Sequence, residues 1–324
     1  MDCQARAALH GHEALRICSI CTSSSPPVLV CGSSDGGIRV WDLETHALVR
    51  TLDKHMDWVC SLAIDPTGRF LASGSHDRTV CLWDLASGTC LHKLGEQSDP
   101  YWIHALAWDP TGAFVASVSR LIRVWCANTG AFSHTCAKRA GWITSVVTHP
   151  AIGADLFASN SDDHTVILWR WSSGACVRVL RGHTQLVSAL TASARWLVSG
   201  SRDRTLRVWS WDGVCARVLE HPGPLDPTHM GPLYKLTWHA SRTAMYELCK
   251  KGIRVWDTES PDPSAWTCVK TTLREEGELT DVVATGSGFA YSVDDRDEEC
   301  ELPFLVVLRA PGERRACRRP VARL

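Results

Sequence analysis

The sequence predicts an all-β protein, a ring of repeated four-stranded sheets of the β-propeller kind, and three observations carry that prediction. The first is one phrase written six times: I-R-V-W at Trp41, V-C-L-W at Trp83, I-R-V-W at Trp125, V-I-L-W at Trp169, L-R-V-W at Trp209 and I-R-V-W at Trp256. The tryptophans are spaced by 42, 42, 44, 40 and 47 residues, the period of a propeller blade. The second is the punctuation within each unit, where short β-branched or aromatic runs alternate with Gly, Ser, Asp and Pro. In the second unit these are Val59 to Ile64, the turn Asp65-Pro66-Thr67-Gly68, Phe70 to Ser73 and Val80 to Trp83, which predicts four short strands per unit. The third is that the third strand is apolar on both sides, with Val80 and Leu82 on one and Cys81 and Trp83 on the other. A sheet buried between two neighbours needs that pattern, and a lone blade could not stay folded.

The units differ in completeness. Unit 1 centres on Trp41 and has His12 and Asp35, but Cys31 where the fullest units have serine. Unit 2 carries His55, Ser73, Asp77 and Trp83, and unit 5 repeats the set with His183, Ser199, Asp203 and Trp209. Unit 4 has Ser159, Asp163 and Trp169 without a histidine ahead of its inner strand. Unit 3 is shortened around A-S-V-S-R-L-I-R-V-W and lacks the Asp, and unit 6 has Cys249-Lys250-Lys251-Gly252 in place of the turn. These two are expected to be the looser part of the ring. A degenerate seventh unit, residues 266–308, has no tryptophan at the phrase position but keeps strand patterns at Leu279 to Val283, Phe289 to Val293 and Phe304 to Leu308. The expected organisation is one propeller domain, residues 1–308, followed by a basic, disordered tail, 309–324, with Arg314, Arg315, Arg318, Arg319 and Arg323.

Gly11-His12, Gly182-His183 and the phrase S-G-S-x-D-R-T at Ser73 to Thr79 and Ser199 to Thr205 complete a pattern that resembles the WD40 repeat family. The resemblance runs from about His10 to Leu308. It implies a seven-bladed propeller closed by an N-terminal strand, here Cys3 to Leu9. It also implies that His55, Ser73, Asp77 and Trp83, and His183, Ser199, Asp203 and Trp209, form buried structural tetrads, each a hydrogen-bonded chain from Asp through His and Ser to the indole N–H. Such sets look like catalytic triads. A serine hydrolase, however, needs its serine exposed beside an oxyanion hole, whereas a buried indole needs a partner for its N–H. No catalytic residue is therefore assigned. No phosphate-cradling glycine loop, metal cluster or convergent carboxylate pair stands outside the repeats, so no cofactor or metal is expected and the chain is read as a non-enzyme.

A formal net charge of −1 with 21% charged residues offers no bulk attraction to nucleic acid or membrane. Met1 to Leu15 lacks the apolar stretch of a signal peptide, and no run approaches the roughly 20 apolar residues that span a bilayer. The expected location is the cytoplasm or the nucleus. The 15 cysteines are spread through strand patterns and are read as reduced packing residues. Cys18 and Cys21 have C-x-x-C spacing, but no second pair completes a zinc site.

Function in such a ring lies on its rims. The residues read as standing just before each inner strand are Arg16, Trp58, Trp102, Trp142, Leu186, Pro232 and Glu278, so three consecutive blades present tryptophan on the top face. Two readings stand: an arc of indoles anchoring a peptide of a partner protein, and tryptophans packed against their own loops. The neighbouring turns supply His76 and Arg78, Asp162 and His164, and Arg202 and Arg204, a mildly basic surround suited to an acidic or phosphorylated segment, or simply solvated. Pro222, Pro224, Pro227 and Pro232 predict a stiff flap before unit 6. The leading functional expectation is a protein-interaction scaffold binding peptides through Trp58, Trp102, Trp142, Arg16, Leu186, Arg78 and Arg202. The alternative is a substrate-recognition subunit of a ubiquitin ligase, since the repeats resemble those of F-box/WD proteins; Met1 to Leu9 is too short for an F-box, and no unit ends in W-D-x-R. An enzyme with a site in the channel is the remote alternative.

Overall fold

The second unit shows how the punctuated apolar runs fold: Val59–Ile64, Phe70–Ser75, Val80–Asp84 and Cys90–Leu94 pair antiparallel in that order, from inner to outer strand. The computed structural model describes residues 8–9, 16–95, 101–136, 142–220, 233–238, 244–249, 252–273, 278–285, 288–294 and 304–309. Six sheets are built in the same way from four strands consecutive in the chain. Their inner strands are Ile17–Ser24, Val59–Ile64, Ala105–Trp108, Val146–Thr148, Val187–Ala192 and Leu233–Trp238. A further antiparallel set joins Glu278–Thr285, Gly288–Asp294 and Phe304–Arg309, and Ala8–Leu9 lies along its last strand with Ala8 opposite Val307. Each inner strand touches the inner strand of the next sheet, and Glu278–Thr285 touches Ile17–Ser24.

The core lies between sheets rather than within any one of them. Val30, Ile38 and Val40 of the first sheet pack with Leu71, Cys81 and Trp83 of the second, and Ala72, Val80 and Leu82 on the second sheet's other side pack with Leu106, Val115 and Trp125 of the third. This is why Val80–Asp84 carries apolar side chains on both faces, each such buried side chain contributing about 1.5–3 kcal/mol. The sheets approach so closely that Gly32 and Gly74 are required: an added Cβ would lie 2.6 Å from Cγ1 of Val59 and 2.5 Å from Cγ2 of Ile103. In the second and third sheets the bend between inner and second strands is tied by aspartate: the Phe70 backbone N–H donates to Asp65 at 2.6 Å and the Phe114 backbone N–H to Asp109 at 2.7 Å, with Gly68 at φ 74°.

Three sequence expectations are corrected at the level of elements. Trp102 and Trp142 stand further from their inner strands than Trp58 does, because regular pairing begins only at Ala105 and Val146. Of the backbone donors in between, Ile103 N–H goes to the Ser75 carbonyl at 3.2 Å and the Thr144 and Ser145 N–H groups to Oδ1 of Asn160 at 3.0 and 2.8 Å, while His104 N–H already reaches the Val118 carbonyl at 2.7 Å. Glu278 is the first residue of its strand rather than the one before it. Thr267–Leu273 completes the sixth sheet, so the sequence unit 266–308 straddles two sheets. Pro232 and the proline-rich flap, His12, the acidic run after Asp294 and the tail arginines lie outside the described residues.

Candidate functional site

The two complete polar sets assemble as chains. Nδ1 of His55 lies 2.9 Å from Oδ2 of Asp77, Nε2 lies 2.8 Å from Oγ of Ser73, and the Trp83 indole N–H donates to the same Oγ at 2.8 Å. In the fifth sheet, His183 lies 2.8 Å from both Asp203 and Ser199, and Trp209 donates to Ser199 at 2.8 Å. An ionised carboxylate only accepts, so the imidazole N–H faces the aspartate and the serine hydroxyl donates to the free ring nitrogen. Burial would raise the Asp203 carboxyl, but bonds from Thr205, the Thr184 backbone and His183 pull it down to about 2. Burial likewise holds His183 below its ordinary value, so it stays neutral. Ser73 and Ser199 are fully buried, with no room for a substrate beside them.

Units 3 and 6, expected to be loose, each keep a buried bond at the tryptophan. Trp125 donates to Oγ of Ser117 at 2.8 Å. In the sixth sheet Glu247 occupies the serine position: its Oε2 accepts from the Trp256 indole at 2.8 Å and its Oε1 from the Arg254 guanidinium at 2.6 Å. Glu247 is 0% and Arg254 1% exposed, a buried ion pair where other sheets use a hydroxyl. Trp169 donates to Ser159 at 2.9 Å in the fourth sheet. Cys31 fills the serine position in the first, where Ser33, Asp35 and Arg39 form their own cluster, with Arg39 donating to Asp35 at 3.0 Å.

The tryptophans ahead of the inner strands are different in kind. Trp58, Trp102 and Trp142 are 40%, 51% and 48% exposed. The Trp58 carbonyl accepts from the His76 backbone N–H, as those of Arg16, Trp142 and Leu186 accept from Ser34, Asp162 and Arg202, so one backbone geometry places these positions. Two histidines join the indoles into an arc. His76 is stacked between Trp58 and Trp102, with centroids at 5.4 and 4.3 Å, and His104 lies edge-on to Trp102 at 6.4 Å and Trp142 at 5.9 Å. Tyr101 meets Trp142 edge-on at 5.8 Å, and Arg120 lies over the Tyr101 ring at 5.5 Å while donating to its hydroxyl at 2.8 Å. Burial holds His76 and His104 below their ordinary values; Asp57 opposes the shift at His76, and His76 adds to it at His104. The arc's imidazoles are therefore uncharged near neutral pH; Arg78 is exposed in the turn that carries His76, Arg202 is exposed in the fifth sheet, and Arg16 and Leu186 are half-buried.

The structure thus brings Trp58, Trp102 and Trp142 together and leaves Leu186 and Arg202 two sheets beyond Trp102, in the fifth. Sequence reading missed His104, Tyr101 and Arg120. Aligning Asp109 with Asp65 would have shown His104 at the position of Cys60, whose thiol is pushed up by the Cys18 thiol beside it and by burial. Cys18 meets Cys60 of the next sheet, and no disulfide joins the cysteines whose side chains are described. Among the described residues no group of three or more His, Cys, Asp and Glu side chains is placed to hold a metal, and no helix is long and apolar enough to cross a membrane.

Comparison with known proteins agrees with this architecture. The family described as WD domain, G-beta repeat matches residues 3–42, 46–84, 88–126 and 174–210. Among curated relatives, the nuclear distribution protein PAC1 of Arthroderma otae is 29% identical over 65% of this chain and 42% of its own length. Nuclear distribution protein PAC1-2 of Uncinocarpus reesii is 31% identical over 61% of this chain and 39% of its own. A ribosome biogenesis protein, the WDR12 homolog of Culex quinquefasciatus, is 32% identical over 34% of this chain and 27% of its own. The chain therefore matches less than half the length of each. Six indole phrases at blade spacing, four-stranded antiparallel sheets, two complete polar tetrads and four matched repeats make this chain a WD40-repeat protein.

Proposed function

We propose that the chain is a non-enzymatic scaffold that binds peptide segments of partner proteins on the top face of a seven-bladed ring. In this reading residues 1–308 form one domain, Ala8–Leu9 closes the ring by completing the last blade, and 309–324 is a basic tail. The pairing of Ala8 with Val307 and the contact of Glu278–Thr285 with Ile17–Ser24 support the closure. Trp58, Trp102 and Trp142 anchor the partner, with Arg16, Arg78, Arg202 and Leu186 around them.

One observation carries the assignment: three neighbouring sheets each leave a tryptophan about half in water, while the other described indoles that donate do so inside the protein. Exposed tryptophans joined into one arc through His76 and His104 supply the aromatic residues in which interface hot spots are enriched. The relatives' names refer to nuclear distribution and to ribosome biogenesis, two different processes, so they favour no single partner. The test is affinity purification with mass spectrometry from cells of the native source, comparing the intact chain with Trp58→Ala/Trp102→Ala/Trp142→Ala. Partners lost from a variant of unchanged melting temperature support the site. An unchanged partner list returns the tryptophans to packing.

A further inference from the structure

The arc is rich in hydrogen-bond donors and poor in acceptors. Elsewhere the indole N–H groups are used internally: Trp83, Trp125, Trp169 and Trp209 donate to serines, and Trp108, Trp211 and Trp266 to backbone carbonyls. Those of Trp58, Trp102 and Trp142 have no acceptor among the described residues. Arg78 is exposed, held at φ 71° in its turn, and makes no ion pair among the described residues. Arg120 is exposed beside Tyr101 and keeps further guanidinium donors beyond the one given to the hydroxyl. Of the neighbouring carboxylates, Asp57 accepts from the Trp58 backbone N–H at 2.8 Å, Asp77 accepts from His55 and the Met56 backbone, and Asp162 stands in the turn whose backbone N–H donates to the Trp142 carbonyl.

The ring arrangement also selects against a cationic occupant. A cation is held where aromatic faces converge on it. Here the space between the faces of Trp58 and Trp102 is filled by His76, and His104 lies between Trp102 and Trp142. The three indoles keep exposed surface and N–H groups without an acceptor among the described residues, with Arg120 beside Tyr101 and Arg78 exposed in the turn that carries His76. Resting on the peptide-binding reading of this face, we propose that its occupant is an acidic protein segment, a run of Asp and Glu around a large apolar side chain. The carboxylates would accept from the indole N–H groups and from Arg78 and Arg120, and the apolar side chain would lie against Trp102. Charge-assisted bonds to arginine give such a complex its selectivity and its salt dependence.

The test uses the full chain and fluorescence polarisation of four labelled probes: a peptide of Asp and Glu around a central Leu-Phe pair, the same peptide with Lys and Arg, the same with Gly and Ser, and an oligouridylate. The acidic peptide is expected to bind at least about tenfold more tightly than each of the others, and to weaken as salt screens the arginines. The variant Trp58→Phe/Trp102→Phe/Trp142→Phe keeps rings against His76 and His104 while removing three N–H donors. It and Arg78→Gln should each weaken the acidic peptide about tenfold at unchanged melting temperature. If the triple variant does not fold, Arg78→Gln alone decides. A neutral peptide that binds as tightly as the acidic one overturns the acidic assignment but leaves the peptide-binding reading standing. An oligouridylate that binds as tightly overturns it in favour of nucleic acid. Failure of the acidic peptide to bind also overturns it, and the broader reading is then judged separately by the partners retained or lost in the alanine variant.

Discussion

Asp203 holds three partners at once, and its carboxyl, drawn down to about 2 from an ordinary 3.8, records how firmly it is fixed. The sign is that of a depressed carboxylate: its stabilisation is present above about 3.8 and is lost as pH falls through about 2. Asp203→Ala leaves His183 and the Thr205 hydroxyl short of a partner, and should lower unfolding stability in urea by about 1–3 kcal/mol. Glu247→Ala should cost more, about 3–5 kcal/mol, because it strands a buried guanidinium at Arg254. A loss no larger than that of Asp203→Ala would show that Arg254 finds water or another acceptor. The two complete tetrads were legible because each member stands at a repeated position. Glu247 was not, because a carboxylate in the serine place is recognised only once Arg254 is seen beside it. Ser117 was hidden by the shortened turn, which brings it two residues closer to its tryptophan than Ser73 is to Trp83.

Between elements, the distance of closest approach is set by residues without side chains. Gly74→Val would drive a branched group into Ile103 and force the second and third sheets apart, an overpacking that should cost about 1–3 kcal/mol and be read as a lower melting temperature. An unchanged melting temperature would mean that the sheets slide without loss. Second and third strands such as Phe70–Ser75 and Val80–Asp84 were readable because both of their faces are buried and their ends carry turn residues. The starts of the third and fourth inner strands were not, since they depend on which carbonyl Ile103 reaches and on the side-chain amide of Asn160. The arc was half legible: the tryptophans follow from the repeat, whereas the histidines that join them come from two different positions, one in a turn and one just before an inner strand.

At the scale of the whole molecule, five histidines among the described residues are held below their ordinary value mainly by burial: His76, His104, His134, His149 and His183. The unfolded chain then binds protons more readily than the folded one below an ordinary value of 6.5, so stability falls as pH drops through and below that point. The melting temperature should be lower at mildly acidic than at neutral pH, and a flat profile would show the imidazoles to be freely solvated. Deleting Met1 to Leu9 removes the strand that lies on Phe304–Arg309 and should lower the melting temperature; no change would mean that this pairing does not hold the ends together. The uneven burial of the 15 tryptophans has an optical consequence. Most indoles are screened from solvent and should emit towards the blue, out of reach of aqueous iodide, while Trp58, Trp102 and Trp142 emit from water and can be quenched. The protein therefore carries its own reporter: a molecule seated on the arc would shield that red-shifted, quenchable fraction and announce itself without any label on either partner.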